Sequence, residues 1–396
     1  MGVVGRRPPA VPGSGTWAGP RRVMAVFGTR PEAIKMLPVV TALRARPGVE
    51  TLTCSTGQHA GMLDEVMEEA GERCDVALDL LAPGQGLSRL AARAIEGLAG
   101  VIEAARPDMV LVHGDTTTAF AGALAAFHAR VPVGHVEAGL RSGSLDHPFP
   151  EEFNRRAVDA MAELLFAPTD GAAANLRGVA GKVVVTGNTG IDALLGATTR
   201  LAENAALREA ADAALPRQQP GRRLVVATAH RRECQGPALE GICDALLALA
   251  TRPDVQVAFP VHPNPAIAGP VTRRLSGRDN IHLLPPLPYL PMVRLLSRAA
   301  LLLTDSGGLQ EEAPALGLPV LVLREVTERP EALAAGAARL VGTCPARIVA
   351  EAARLLDHPG HHAAMARPVF PFGDGQAAER IAAAVEAWTP AGAVAG

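Results

Sequence analysis

A chain of 396 residues is more than one ordinary core can fill, so two domains of typical size are expected. Hydrophobic residues at 48%, charged residues at 20% and a net charge of −2 describe a globular chain without an overall field for nucleic acid or an acidic membrane. No uninterrupted apolar run reaches 18 residues, which argues against a membrane span.

Residues 1–21 contain Arg6-Arg7-Pro8-Pro9 and several glycines but no apolar core of a signal peptide, and read as a disordered tail. Beyond them, apolar runs of about five to eight residues alternate with longer helix-like stretches, the pattern of βα units and buried parallel sheets. Strands are expected near 22–28, 49–56, 109–113, 131–136, 164–168 and 183–187, and a second set near 223–229, 255–261, 280–284, 300–304, 319–323 and 338–341. Two sets of about six predict an α/β fold of two Rossmann-like domains with a ligand cleft between them. The expected units are 22–192 and 193–374, with 375–396 forming a C-terminal helix that returns to the N-terminal domain. Five scattered cysteines show no CxxC pair, which fits a reducing compartment, the cytoplasm by default, and neither disulfides nor zinc. Aromatics at 3% leave little with which to stack single-stranded nucleic acid.

The polar chemistry collects where strands run into loops, and in open parallel sheets that is where ligands bind. After the first strand, Gly28 to Lys35 (GTRPEAIK) supplies a glycine turn, a proline suited to a first helical turn, and the cations Arg30 and Lys35 near a helix start that already favours anions. The alternative there is a solvated helix start. Asp115 and Glu137 end neighbouring strands, and Glu151 opens a helix beside Glu152, which reads as a complement to the helix dipole. Three carboxylates at one crevice are expected to push at least one pKa upward, as suits acid/base work near neutral pH. His113 and His135 lie inside strand ends and read as core positions. His230, followed by Arg231, ends the first strand of the second half and His262 the next; either could donate to a phosphate or a leaving oxygen. Ser306, Gly307 and Gly308 open a second glycine-helix element able to cradle phosphate, with Glu312 one turn in. Plain helix capping is the competing reading. No HExxH or DxD element marks a metal, and no dinucleotide fingerprint is present, so neither metal nor cofactor is expected.

In this order, FGTRPEAIKMLPVV, VLVHGDTTTAF, VGHVEAGLRSG, PFPEEFNRR, VTGNTGIDAL, AHRRE, PVHPNP, LLTDSGGLQEEAPALGLPVLVLRE, TERPEAL and GDGQAAERI resemble the non-hydrolysing bacterial UDP-N-acetylglucosamine 2-epimerases, over nearly the whole length from Arg22 to Ala387. The resemblance implies the glycosyltransferase-B architecture and interconversion of UDP-GlcNAc and UDP-ManNAc by elimination and re-addition of UDP through a 2-acetamidoglucal. It assigns Asp115, Glu137 and Glu151 jointly to proton transfer at C2 and His230 to the leaving diphosphate. Arg30, Lys35, Ser306, Gly307, Gly308, Glu312 and Arg329 become substrate contacts. Gln58, Glu151, Arg231 and His262 match residues that hold a second UDP-GlcNAc as activator, and a cytoplasmic homodimer serving cell-surface polysaccharide biosynthesis is implied. Asp115-Thr116-Thr117-Thr118 stands where hydrolysing relatives carry an arginine. Phe370 and Phe372 replace the Asn and Tyr of the family's NPYGDG. The other readings are a glycosyltransferase of the same fold, an epimerase of a UDP-2,3-diacetamido sugar, and a nucleotide-sugar sensor.

Overall fold

The computed structural model describes residues 20–57, 66–69, 71–80, 85–146 and 148–389. Gln58 and nearly all of the N-terminal 1–21 segment lie outside the described residues.

Two parallel sheets organise the chain. The first joins β1 (Arg21–Phe27), β2 (Val49–Ser55), β3 (Val76–Ala77), β4 (Met109–His113), β5 (Val133–Val136), β6 (Leu164–Ala167) and β7 (Lys182–Val185) in the order β3-β2-β1-β4-β5-β6-β7. The second joins β8 (Arg223–Thr228), β9 (Val255–Pro260), β10 (Ile281–Leu284), β11 (Leu301–Thr304), β12 (Val320–Val322) and β13 (Ala338–Leu340) in the order β10-β9-β8-β11-β12-β13. Each is doubly wound, its strand order reversing beside its first strand. The two-residue β3 has no counterpart among the expected strands, because two residues carry no alternation to read.

The strands are apolar on both faces because helices cover both. Along β1, Val23, Ala25 and Phe27 enter one buried cluster, whereas Met24 and Val26 enter another. Along β8, Val225 and Ala227 alternate in the same way with Leu224 and Val226. Helix α1 (Arg30–Arg44) starts immediately beyond β1 and lays Ala33, Met36, Leu37 and Val40 on the first sheet. Helices α2 (Leu87–Ala105), α3 (Thr117–His128), α4 (Glu151–Met161) and α5 (Asp170–Ala174) follow, and then α6 (Thr189–Glu203) and α7 (Ala205–Ala213). Helix α6 packs Ile191, Leu194 and Leu201 into the second lobe's core while touching α1 of the first.

The second lobe adds α8 (Pro237–Ala250), α9 (Pro265–Leu275), α10 (Tyr289–Arg298), α11 (Gly307–Ala315), α12 (Pro330–Ala334), α13 (Pro345–Asp357) and α14 (Pro359–Met365). Helix α15 (Ala377–Glu386) then buries Ile381, Ala382 and Val385 in the first lobe's core. Phe372, on the way back, is buried, and its carbonyl accepts a 2.6 Å hydrogen bond from the Asn188 amide. The backbone thus supplies the polar contact at a position where the side chain has none to offer. No described helix is long and apolar enough to cross a membrane.

Candidate active site

Polar junctions follow the strands that flank the reversal point of each sheet. In the first lobe these are Gly28, beyond β1, and Gly114, beyond β4. In the second they are His230, beyond β8, and Asp305-Ser306, beyond β11.

Gly28 is needed for a steric reason: a Cβ there would collide with the hydroxyls of Thr56 and Thr118, which are 2.9 Å apart and bonded to each other. Next, Thr29 caps α1 in a capping box whose partner, Glu32, is almost fully buried. One Glu32 oxygen accepts from the Gly28 amide at 3.0 Å, the Thr29 amide at 2.7 Å and the Thr29 hydroxyl at 2.8 Å, and the other accepts from Thr116. Burial pushes this carboxyl above its ordinary range against those bonds. Glu32 therefore ties the turn after β1 to the turn after β4. Arg30, one residue into the same turn, donates at 2.7 Å to the Leu287 carbonyl in the other lobe.

Lys35 reaches toward the second lobe. It pairs with Glu137 and lies 3.9 Å from Glu311 of α11. Asn188 donates to both carboxylates, at 2.8 Å each, and Arg329 donates to the second oxygen of Glu311 at 2.8 Å. The result is a buried chain of alternating charge running from one lobe to the other. Glu137 sits with φ at +66°, a backbone conformation that costs a non-glycine residue roughly 1 kcal/mol, so the network holds the carboxylate in a pose the chain alone disfavours.

Burial alone would raise the Glu137 carboxyl, but Lys35 and Arg329 outweigh it and hold the group well below the usual carboxylate range. The upward shift expected of the clustered acids is thus reversed here, because the sequence did not reveal which cation would meet which acid. Burial would lower Lys35, yet Glu137 and Glu311 raise it on balance. His113, whose Nε2 lies 3.7 Å from Glu137, is pushed down to about 4 by burial against the pull of that carboxylate, and is neutral. Glu312 rises as well: burial lifts it to about 7, with Lys35 opposing and Glu311 adding.

Asp115 pairs with Arg155, and its carbonyl accepts from Asn154 at 2.9 Å, so α4 grips the turn. Glu151 starts that same helix. Gly114, between His113 and Asp115, would place a Cβ 3.8 Å from the Glu137 carboxylate, which sets the Asp115 turn against that acid. Glu152 is more than a dipole complement. It is fully buried, accepts from the Ser142 amide at 2.9 Å and from Arg156 at 2.8 Å, and anchors the loop after β5.

In the second lobe, His230 makes its contacts within that lobe. Its Nδ1 lies 3.0 Å from the buried Asp305, which also accepts from the His230 and Arg231 amides at 2.8 Å each. Burial would raise Asp305, but His230 and those amides bring it below its ordinary value. The His230 ring stacks on His262 with centroids 5.9 Å apart, and burial, then His230, lowers the His262 pKa. Arg231 donates to the Asp305 carbonyl at 3.0 Å. Ser306 caps α11, the guanidinium of Arg329 lies directly against Gly307, and Gly308 faces Glu312. A cavity of about 190 Å³ opens among His230, His262, Pro286, Ser306 and Leu309, at the strand ends of the second sheet. The described residues include no cluster of three potential metal ligands.

Sequence reasoning selected Lys35, Glu137, Glu312 and Arg329 but passed over Asn188, Glu311, Asp305 and Glu32. The signal for Glu311 was its i+4 spacing from Gly307, which places it on the face that meets Arg329.

Fold and site together define an α/β protein of the glycosyltransferase-B type, with a buried charged network drawn from both lobes. The chain belongs to the UDP-N-acetylglucosamine 2-epimerase family, whose model matches residues 41–386. It is 50% identical over 372 residues to a Ralstonia nicotianae protein described as a probable UDP-N-acetylglucosamine 2-epimerase, covering 93% of this chain and 99% of that one. It is 48% identical over 369 residues to the UDP-N-acetylglucosamine 2-epimerase of Escherichia coli strain K12, covering 92% and 98%. Among solved structures, the UDP-GlcNAc 2-epimerase from Neisseria meningitidis bound to UDP-GlcNAc superposes with a TM-score of 0.88 at 42% identity, over 92% of this chain and 99% of that one.

Proposed function

We propose that this chain interconverts UDP-GlcNAc and UDP-ManNAc without net hydrolysis, by eliminating UDP to a bound 2-acetamidoglucal and adding it back. The observation that carries the reading is the network Lys35–Glu137–Asn188–Glu311–Arg329, which joins the lobes through α1, α11 and the loops after β5, β7 and β12.

The chemistry asks for two things at once. The C2 proton is weakly acidic, so a base must pull while the departing diphosphate is stabilised. Glu137 is held ionised by Lys35, which leaves it available as a proton acceptor but a weak one while that cation stays paired to it. Asp115 and Glu151 complete the acids available to the two faces of C2. On the other side, the amides at the start of α11 beside Gly307 and Gly308, together with His230 and Arg30, receive the diphosphate. Glu312 takes the ribose and Arg329 holds the nucleotide end. The same reading makes the protein a cytoplasmic homodimer in which Arg231 and His262 face a second UDP-GlcNAc as activator.

The test is NMR of UDP-GlcNAc with the enzyme in D₂O. UDP-ManNAc should form and deuterium should enter C2. Asp115→Asn, Glu137→Gln and Glu151→Gln should each slow exchange by roughly 10²–10⁴-fold. Folded wild-type protein that leaves the C2 proton in place would overturn the assignment.

A further inference from the structure

His135 has no part in the proposed chemistry, yet its hydrogen bonds lead directly to Asp115. It lies on β5, fully buried, one strand over from the Asp115 turn. Its Nε2 is 2.8 Å from the Gly114 carbonyl, and its Nδ1 is 2.7 Å from Oδ1 of Asp159 on α4. The other Asp159 oxygen lies 2.7 Å from the Arg141 guanidinium. Burial would raise Asp159, but His135 and Arg141 outweigh it and keep the group an ionised acceptor. A carbonyl oxygen only accepts, so Nε2 donates to Gly114 while Nδ1 faces the Asp159 carboxylate.

We infer that His135, braced by Asp159 and Arg141, is a positioning residue that sets the Asp115 carboxylate relative to Glu151. Gly114 has φ at +65°, so its turn is one of the conformations that glycine tolerates but that no side chain locks. The peptide between Gly114 and Asp115 is planar; fixing the carbonyl toward His135 turns the Asp115 N–H the opposite way and sets where the side chain departs. Helix α4 supplies the remaining grips, Asn154 on the Asp115 carbonyl and Arg155 on its carboxylate. Because α4 also carries Asp159 and begins at Glu151, the His135–Asp159 bond locks the turn bearing one acid to the helix bearing the other. A core histidine that was merely satisfied would affect stability and leave the acids where they are.

This inference rests on the epimerase reading, and the experiment separates the two. His135→Gln keeps a donor for Gly114 but turns a carbonyl toward Asp159. It is expected to lower kcat by roughly 10–100-fold, the cost of a small misplacement of a reacting group, with KM for UDP-GlcNAc within about twofold. Adding Asp159→Asn, whose amide can donate to the new carbonyl, should recover kcat about fivefold or more over His135→Gln alone, if positioning governs the loss. A folded His135→Gln variant with wild-type kcat, a loss carried by KM alone, or a double variant with no recovery each overturns the inference. If His135→Gln does not fold, Asp159→Asn alone is read the same way, with lowered kcat at unchanged UDP affinity. Wild-type protein without C2 exchange instead overturns the epimerase reading itself.

Discussion

Glu312 is the residue whose ionisation the fold opposes most plainly. Burial moves its carboxyl from an ordinary 4.5 to about 7. Below 4.5 it is protonated in both folded and unfolded chains, and folding carries no penalty. Between the two values the unfolded chain ionises first, so stability falls as pH rises, and above 7 the whole penalty stands. The shift corresponds to at most about 3 kcal/mol, less what water recovers at the partly exposed edge of the side chain. Glu312→Gln should therefore raise the Tm of the ligand-free protein at pH 8, with the gain shrinking toward pH 5. A calorimetric series across that range checks it, and a gain independent of pH would contradict the assignment. The position of Glu312 one turn into α11 was legible from its spacing, and so were the place of Lys35 near the start of α1 and of Glu137 at a strand end. The direction of the Glu137 shift was not, because it depends on Lys35 and Arg329 arriving from elements far away in sequence.

Elements were legible where their burial is two-sided. β1, β4, β8 and β11 are continuous apolar runs because helices cover both faces, and such runs announce themselves. Less visible was how tightly successive elements are joined. The step from β1 to α1 has no space for a side chain at Gly28, since Thr56 and Thr118 fill it from β2's end and α3. Gly28→Ala should then force that hydroxyl pair apart and cost roughly 1–3 kcal/mol, the usual penalty for overpacking. It should also displace the helix start that carries Arg30 and Lys35, so UDP affinity should fall along with stability. Denaturant midpoints and UDP titration measure the two effects. Combining Gly28→Ala with Thr56→Ala and Thr118→Ala should recover part of the stability, and a Gly28→Ala protein as stable as wild type would show that the turn can move. The cap at Thr29 and Glu32 was present in the sequence as a T-x-x-E pattern, but only the fold shows Glu32 also binding Thr116 and so fixing two strand ends against each other.

At the scale of the whole molecule, the lobes are joined by a few buried polar contacts that no reading of either half alone could supply. Arg30 reaches Leu287, Thr169 donates to Glu331 at 2.9 Å, Asn188 meets Phe372 through the backbone, and Lys35 and Asn188 both approach Glu311. Glu311 holds the central position, because it is the acid on the second lobe that faces cations from both. Replacing one member of a buried charged set leaves its partners exposed to the full cost of desolvation, typically 3–5 kcal/mol. Arg329 retains Glu328 at 3.5 Å and Lys35 retains Glu137, so the lower end applies, and Glu311→Gln should cost about 3 kcal/mol. If Lys35 and Glu311 truly couple the lobes, their effects cannot add. Lys35→Met removes a cation that Glu311→Gln has already deprived of one of its two carboxylates, so the double variant should be more stable than the sum of the singles predicts, by roughly 0.5–3 kcal/mol. Denaturant unfolding of the four proteins closes this cycle. Hydrogen exchange should show the same coupling locally, with faster exchange at the start of α6, where Asn188 caps the helix while donating to Glu311. Strict additivity, together with unchanged protection at Thr189 and Gly190, would mean that the lobes meet at Glu311 without depending on it.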